Sequence, residues 1–129
     1  MKVLNFEDSI YKANAIRKVL NQCGVTKIEL VSNVEDGLQM LKNAEDTGEP
    51  FDLIITDMHY PMKQGAVSDT EAGGKLVQLL QEQGKQTKVI VCSSRNMKLP
   101  GVYGCIWYSE ISDWEEELCD LVREMEKNR

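Results

Sequence analysis

The chain is poor in the residues that build soft-metal and redox sites. It has one histidine, His59, and four cysteines, Cys23, Cys92, Cys105 and Cys119, with no C-x-x-C pair among them. A thiolate zinc site therefore lacks its usual ligand spacing, and all four cysteines read as reduced, mostly buried thiols. Cys92 and Cys105 lie in the last two apolar runs and become neighbours if those strands pair, which leaves a weak redox reading. Nine glycines and three prolines are scattered rather than gathered into a linker, so one domain over residues 1–129 is expected, with no output domain after it. The longest apolar stretches are strand length, far short of the roughly 20 residues that span a bilayer, and the N-terminus has no secretory-signal pattern. A cytoplasmic protein is expected. Basic residues are also in deficit, 15 Lys and Arg against 21 Asp and Glu, for a formal charge of -6. Such a surface repels nucleic acid and anionic lipid, so neither nucleic acid nor a membrane is expected as a partner.

What remains is a regular alternation of strands and helices. Lys2 to Phe6 is an apolar run, and Ser9 to Asn21 then places Ile10, Ala13, Ile16, Val19 and Leu20 at helical spacing before Gly24 stops it. Lys27 to Val31 is β-branched, and Asn33 caps a second helical pattern through Val34, Leu38, Leu41 and Ala44. After Gly48-Glu49-Pro50 comes the third strand, Phe51 to Asp57, then a long loop from Met58 to about Ser68 and a helix starting at Asp69 or Thr70. Thr87 to Cys92 and Tyr103 to Tyr108 read as the fourth and fifth strands, and Ser112-x-x-Glu115 as a capping box before the last helix. Parallel strands need crossovers, and crossovers are normally helical. The expected fold is α/β, a flavodoxin-like doubly wound five-stranded parallel sheet of order 2-1-3-4-5 with helices on both faces. The fourth crossover, Ser93 to Val102, holds Pro100 and Gly101 and is too short for a full helix, so a loop or single turn is expected there.

Acidic residues end two of these strands: Glu7 and Asp8 the first, Asp57 the third. Parallel strands stopping side by side bring the three carboxylates to one sheet edge, where open α/β proteins place their ligands. Like charges that close are relieved by a hard cation with oxygen ligands, magnesium or another divalent ion.

The order of these motifs resembles the receiver domain of two-component response regulators, over essentially the whole chain. The residues that carry it are Glu7-Asp8 after the first strand, Asp57 in the pattern Asp57-x-x-x-Pro61-x-x-x-Gly65 after the third, and Ser93 after the fourth. The resemblance implies phosphorelay signalling, with Asp57 accepting a phosphoryl group from a histidine kinase and Glu7, Asp8, Asp57 and the His59 backbone carbonyl holding the cation. Ser93 would give its hydroxyl to a phosphoryl oxygen. Any response would pass to a separate signalling protein.

The chain departs from the family's pattern at the fifth strand, where a Lys followed by Pro normally neutralises the acceptor carboxylate. Here Tyr108 or Ser109 replaces that Lys, and a phenol supplies no permanent charge. The acidic cluster is therefore expected to lack its fixed counter-charge and to depend more on a bound cation, with Lys63, Arg95 and Lys98 as loop residues near enough in sequence to reach in. The family's switch aromatic corresponds to Cys105 or Ile106, and the usual switch is not expected to operate. The segment 66–74 delays the third helix and reads as a lid, a partner-binding loop or a tolerated surface insertion. These departures support a second reading, a phosphorylation-independent pseudo-receiver acting as a protein-interaction module. A flavodoxin-like cofactor protein or small hydrolase needs a phosphate-cradling glycine-rich turn or a nucleophile with a base nearby. Glu7-Asp8-Ser9-Ile10 is acidic and has no glycine.

Overall fold

A computed structural model of the protein describes residues 1–128. The elements run β1 (Lys2–Phe6), α1 (Ile10–Gln22), β2 (Lys27–Val31), α2 (Val34–Asp46), β3 (Leu53–Thr56), β4 (Tyr60–Pro61), β5 (Ser68–Asp69), α3 (Ala72–Glu82), β6 (Lys88–Ser93), β7 (Gly104–Trp107) and α4 (Trp114–Lys127). Five strands form a parallel sheet in the order β2-β1-β3-β6-β7, and β4 and β5 form a separate antiparallel pair. With that pair set aside, this is the 2-1-3-4-5 order expected from the alternation.

Alternation along the strands divides the core into two halves. Val3, Leu53, Ile55, Ile90, Cys92 and Ile106 face α1 and α4, whose Ile16, Val19, Leu20, Leu118 and Val122 meet them. Leu4, Phe6, Ile54 and Val89 face α2 and α3 through Val34, Leu41, Leu76 and Leu80. Because β1, β3 and β6 are covered on both sides, they are buried at nearly every position, as inner parallel strands must be.

The fourth crossover contains no helix. Leu99 and Val102 of that loop pack against the second core half, and Leu99 N–H points at Cys105 Sγ (3.3 Å). Two apolar side chains thus cover the edge of the sheet where a helix would otherwise lie.

Three local expectations are corrected. The third helix begins at Ala72 rather than Asp69 or Thr70, because Ser68 and Asp69 pair back with Pro61 and Tyr60. The capping box at Ser112 does not form: Asp113 precedes α4 without a side-chain cap, and Ser112 Oγ donates instead to the Trp107 carbonyl (2.6 Å). Three acidic residues, Glu115, Glu116 and Glu117, still complement the start of α4. The cysteines are not all reduced, since Cys23, at the C-terminal end of α1, forms a disulfide with Cys119 of α4, Cα to Cα 5.8 Å. Sequence separation hides such a pair, and only the packing of α1 on α4 brings it together. Cys92 and Cys105 remain free. Their strands do pair, but Cys105 lies opposite Val91 and Cys92 opposite Ile106, so the two point to opposite faces and cannot bridge.

Candidate functional site

Strand register builds the site. Phe6 lies opposite Thr56, and the ladder continues one step further, Glu7 N–H donating to Val31 O (2.9 Å) and Asp57 N–H to Phe6 O (3.1 Å). Glu7 and Asp57 are therefore the next residues off two neighbouring strands. With Asp8 they bring carboxylate oxygens within 4.8 Å of one another, at the C-terminal edge of the sheet.

Each carboxylate is held. Glu7 Oε2 accepts the Ser9 N–H (3.1 Å), and Asp57 Oδ1 accepts the Met58 N–H (2.7 Å). Beneath Asp57, Thr56 Oγ1 donates to the Asp57 carbonyl (2.7 Å) and lies 2.7 Å from the Tyr60 hydroxyl, which is buried. Since the Thr56 proton is used on that carbonyl, Tyr60 must donate to Thr56, and burial, which holds the phenol protonated, suits it to that role.

The residue that sequence reasoning missed is Lys12. Its ammonium donates to the Cys92 carbonyl (2.6 Å) and lies 3.0 Å from Glu7 Oε1 and 3.2 Å from Asp57 Oδ1. The expectation of a cluster without a fixed counter-charge is thereby overturned: the charge comes from α1, not from the end of β7. The signal was present, since Lys12, Ile16 and Leu20 repeat every four residues on the buried face of that helix. The loop cations lie elsewhere. Arg95 donates to the Thr70 carbonyl and pairs with Glu71, and Lys63 lines a groove between α2 and α3.

Burial, then the Asp57 charge, raises the Glu7 pKa above the usual carboxylate value, although the ammonium beside it pulls the other way. Burial pushes Lys12 down, but Glu7 and Asp57 more than offset it, so the ammonium is held charged.

The cleft above these groups has a volume of about 430 Å³ and is lined also by Tyr11, His59, Ser68, Ser94 and Tyr108. Of the two residues standing where a Lys would be, Tyr108 faces the cleft and packs its ring on Trp114 (4.9 Å), whereas Ser109 accepts the Ile111 N–H in the following turn. Ser93 is buried and its Oγ accepts the Arg95 N–H (3.1 Å), while Ser94 is the serine in the cleft lining. The Trp107 indole N–H donates to the Ser94 carbonyl (3.0 Å), which places that ring at the rim. The segment 66–74 contributes Ser68 to the lining, and Gly73 packs against the backbone that follows Asp57, its N–H donating to Met58 O (3.1 Å). A larger groove of about 820 Å³ between α2 and α3 is bordered by Leu38, Met62 and Leu79 and gathers no comparable cluster.

The donor set suits a hard cation. All its side-chain groups are carboxylates, and three of them against one ammonium leave a formal charge of -2. Glu7 Oε1 is buried, and the cation beside it is the Lys12 ammonium at 3.0 Å.

A Cβ at Gly73 would run into the Asp57 carbonyl oxygen and press on Met58 Cα. Backbone cannot step aside as a side-chain tip can, so Gly73→Ala is expected to destabilise the protein by about 1–3 kcal/mol. The check is a urea melt of the variant beside the parent, and equal midpoints would contradict this packing.

No protein-family model matches the chain, and no curated protein does. Solved structures do. The receiver domain of a Francisella response regulator superposes with a TM-score of 0.73 at 18% identity, covering 99% of this chain and 98% of that one. A chemotaxis response regulator of Vibrio cholerae gives 0.66 at 21% identity, over 96% and 97% of the two chains. The receiver domain of a histidine kinase from Arabidopsis thaliana, in a mutant form, gives 0.65 at 18% identity, over 98% and 89%. At these identities the likeness is one of fold: the chain has the flavodoxin-like fold of receiver domains. No helix among the described residues is long and apolar enough to cross a membrane.

Proposed function

We propose that the protein is a receiver-type module of phosphorelay signalling that binds a divalent cation at Glu7, Asp8 and Asp57 and accepts a phosphoryl group on Asp57. The observation that carries this reading is the three carboxylates converging at the edge of a receiver-like sheet, with Glu7 buried. The His59 backbone carbonyl would be a further ligand. When bound, magnesium would offset charge on the transferring oxygens.

The chain's own residues prepare the acceptor. Asp57 Oδ1 is engaged by Met58 N–H and Lys12, so Oδ2 is the candidate nucleophile. Its oxygen forms the new bond to phosphorus as the bond from phosphorus to the donor breaks and the donor leaves with that electron pair. The donor in this reading is a histidine kinase, and Ser93 or Ser94 would offer a hydroxyl to the transferred group. The output passes to another signalling protein, and the net charge of -6 argues against nucleic acid as that partner.

Incubation with a small acyl phosphate and magnesium, followed by intact-mass measurement, tests this. One added phosphoryl group is expected on the parent and none on Asp57→Asn, and magnesium should raise the melting temperature of the parent alone. Absence of label together with identical melting of both proteins with and without magnesium would sink the reading.

A second reading, a protein-interaction module that works unphosphorylated, is favoured by Lys12, which already balances part of the acidic charge. Retention of a binding partner by Asp57→Asn, with no label on the parent, would select it.

A further inference from the structure

Lys12 lies where two ways of neutralising the cluster compete. An ammonium has three N–H groups, and this one is surrounded by three oxygens: Cys92 O at 2.6 Å, Glu7 Oε1 at 3.0 Å and Asp57 Oδ1 at 3.2 Å. Two of those oxygens belong to carboxylates of the candidate cation site.

The placement is built by the fold. Ser9 caps α1 by accepting the Lys12 N–H (3.4 Å), which starts the helix so that Lys12 falls on its buried face. The Tyr108 ring lies 5.3 Å from the ammonium. The Lys12 side chain is 8% exposed and that of Glu7 1%, so the ammonium cannot exchange into solvent without opening the cleft.

We propose that Lys12 is a built-in counter-cation, a positioning and specificity-determining residue that balances the charge of Glu7 and Asp57 without metal and keeps divalent-cation affinity low. This rests on the reading of Glu7, Asp8 and Asp57 as a cation site. A metal ion there shares Glu7 and Asp57 with the ammonium and feels its positive charge at short range. Its strongest remaining ligand is Asp8, which is exposed and makes no ion pair with Lys12.

Magnesium titrations of the parent, Lys12→Met, Lys12→Gln and Lys12→Arg test this, read by thermal shift and by Trp107 fluorescence. Losing a unit charge a few ångströms from the ion is expected to tighten magnesium binding at least tenfold, roughly, in both neutral variants. Lys12→Arg, which keeps the charge, should remain as weak as the parent. Lys12→Gln retains an N–H for the Cys92 carbonyl and serves if the methionine variant does not fold. Neutral variants that bind magnesium no more tightly than a responsive parent would overturn the role of Lys12 alone. If neither the parent nor any variant responds to magnesium, the cation-site reading falls with it.

Discussion

Lys12→Met is expected to lower the stability of the metal-free protein by about 3–5 kcal/mol, measured by urea unfolding in the presence of a chelator. The reason is what it leaves behind. Glu7 is almost wholly buried and Asp57 only slightly exposed, and the ammonium is the cation that touches both. Without it two neighbouring carboxylates face each other in a desolvated pocket, and the Cys92 carbonyl loses its donor. The comparison variant is Lys12→Met with Glu7→Gln. Removing both charges relieves the repulsion, so the pair should cost less than the sum of its single changes, with a coupling of about 1–3 kcal/mol. Additive single changes would mean that the two groups do not interact.

The pH dependence has a definite sign. The Glu7 carboxyl already titrates above its ordinary value, through burial first, and Lys12 is among the groups holding it down. In Lys12→Met its folded pKa must rise further. A carboxyl whose folded pKa lies above its unfolded one binds its proton more tightly in the folded state. Stability is therefore gained as pH falls through the folded pKa toward the unfolded one. The deficit of the variant should narrow as pH is lowered from neutral toward the ordinary carboxylate range. A deficit that is constant across that range would assign the loss to packing.

The strand order was legible because burial on both faces leaves long apolar runs, and because the breaks between them, Gly24, Gly48-Glu49-Pro50 and Gly84, are unambiguous. The convergence of Glu7, Asp8 and Asp57 followed from that order alone, as strand ends in a parallel sheet share an edge. What failed was reasoning about charge. The family's pattern puts a Lys at the end of the fifth strand, whereas here the cation comes from the inner face of a helix that otherwise reads as apolar. A lysine stem buries well beside Ile16 and Leu20, so an amphipathic count passes over it unless each charged residue on the inner face is asked where its charge goes. The pairing of β4 with β5 was hidden for another reason. Two residues per strand carry no readable period, and Pro61 within one of them argues against a strand. Likewise Ser112 has the spacing of a capping box, but the nearby Trp107 carbonyl takes its hydroxyl.

Reduction of the Cys23–Cys119 disulfide is expected to cost about 3–4 kcal/mol, within the range such cross-links contribute. The two residues are separated by 96 positions of a 129-residue chain, so the bond constrains about three-quarters of the unfolded chain. The chain-entropy account gives about 4.7 kcal/mol for a loop of roughly 100 residues, and measured values commonly fall below it. Little native packing should be lost. Val19, Leu20, Leu118 and Val122 remain in contact across α1 and α4 whether or not the sulfurs are joined. The urea midpoint of the parent should therefore fall with reductant, while the double variant Cys23→Ser, Cys119→Ser should sit at the lower midpoint in either condition. Cys92 will not obscure the result by exchange, because burial pushes its thiol pKa up to about 12 and leaves little thiolate at neutral pH. Thiol counting on denatured, unreduced protein should give two, those of Cys92 and Cys105. Four thiols, or a midpoint indifferent to reductant, would show the bridge absent. The same experiment separates the two ends of α1. Cys23 lies eleven residues beyond Lys12, about 16 Å along the helix, and Ser9 fixes the other end through its cap. If the first turn is held by that cap and by the ammonium's contacts, reduction should lower the melting temperature without altering the magnesium response of the parent. A magnesium response that changes on reduction would mean instead that the disulfide positions Lys12.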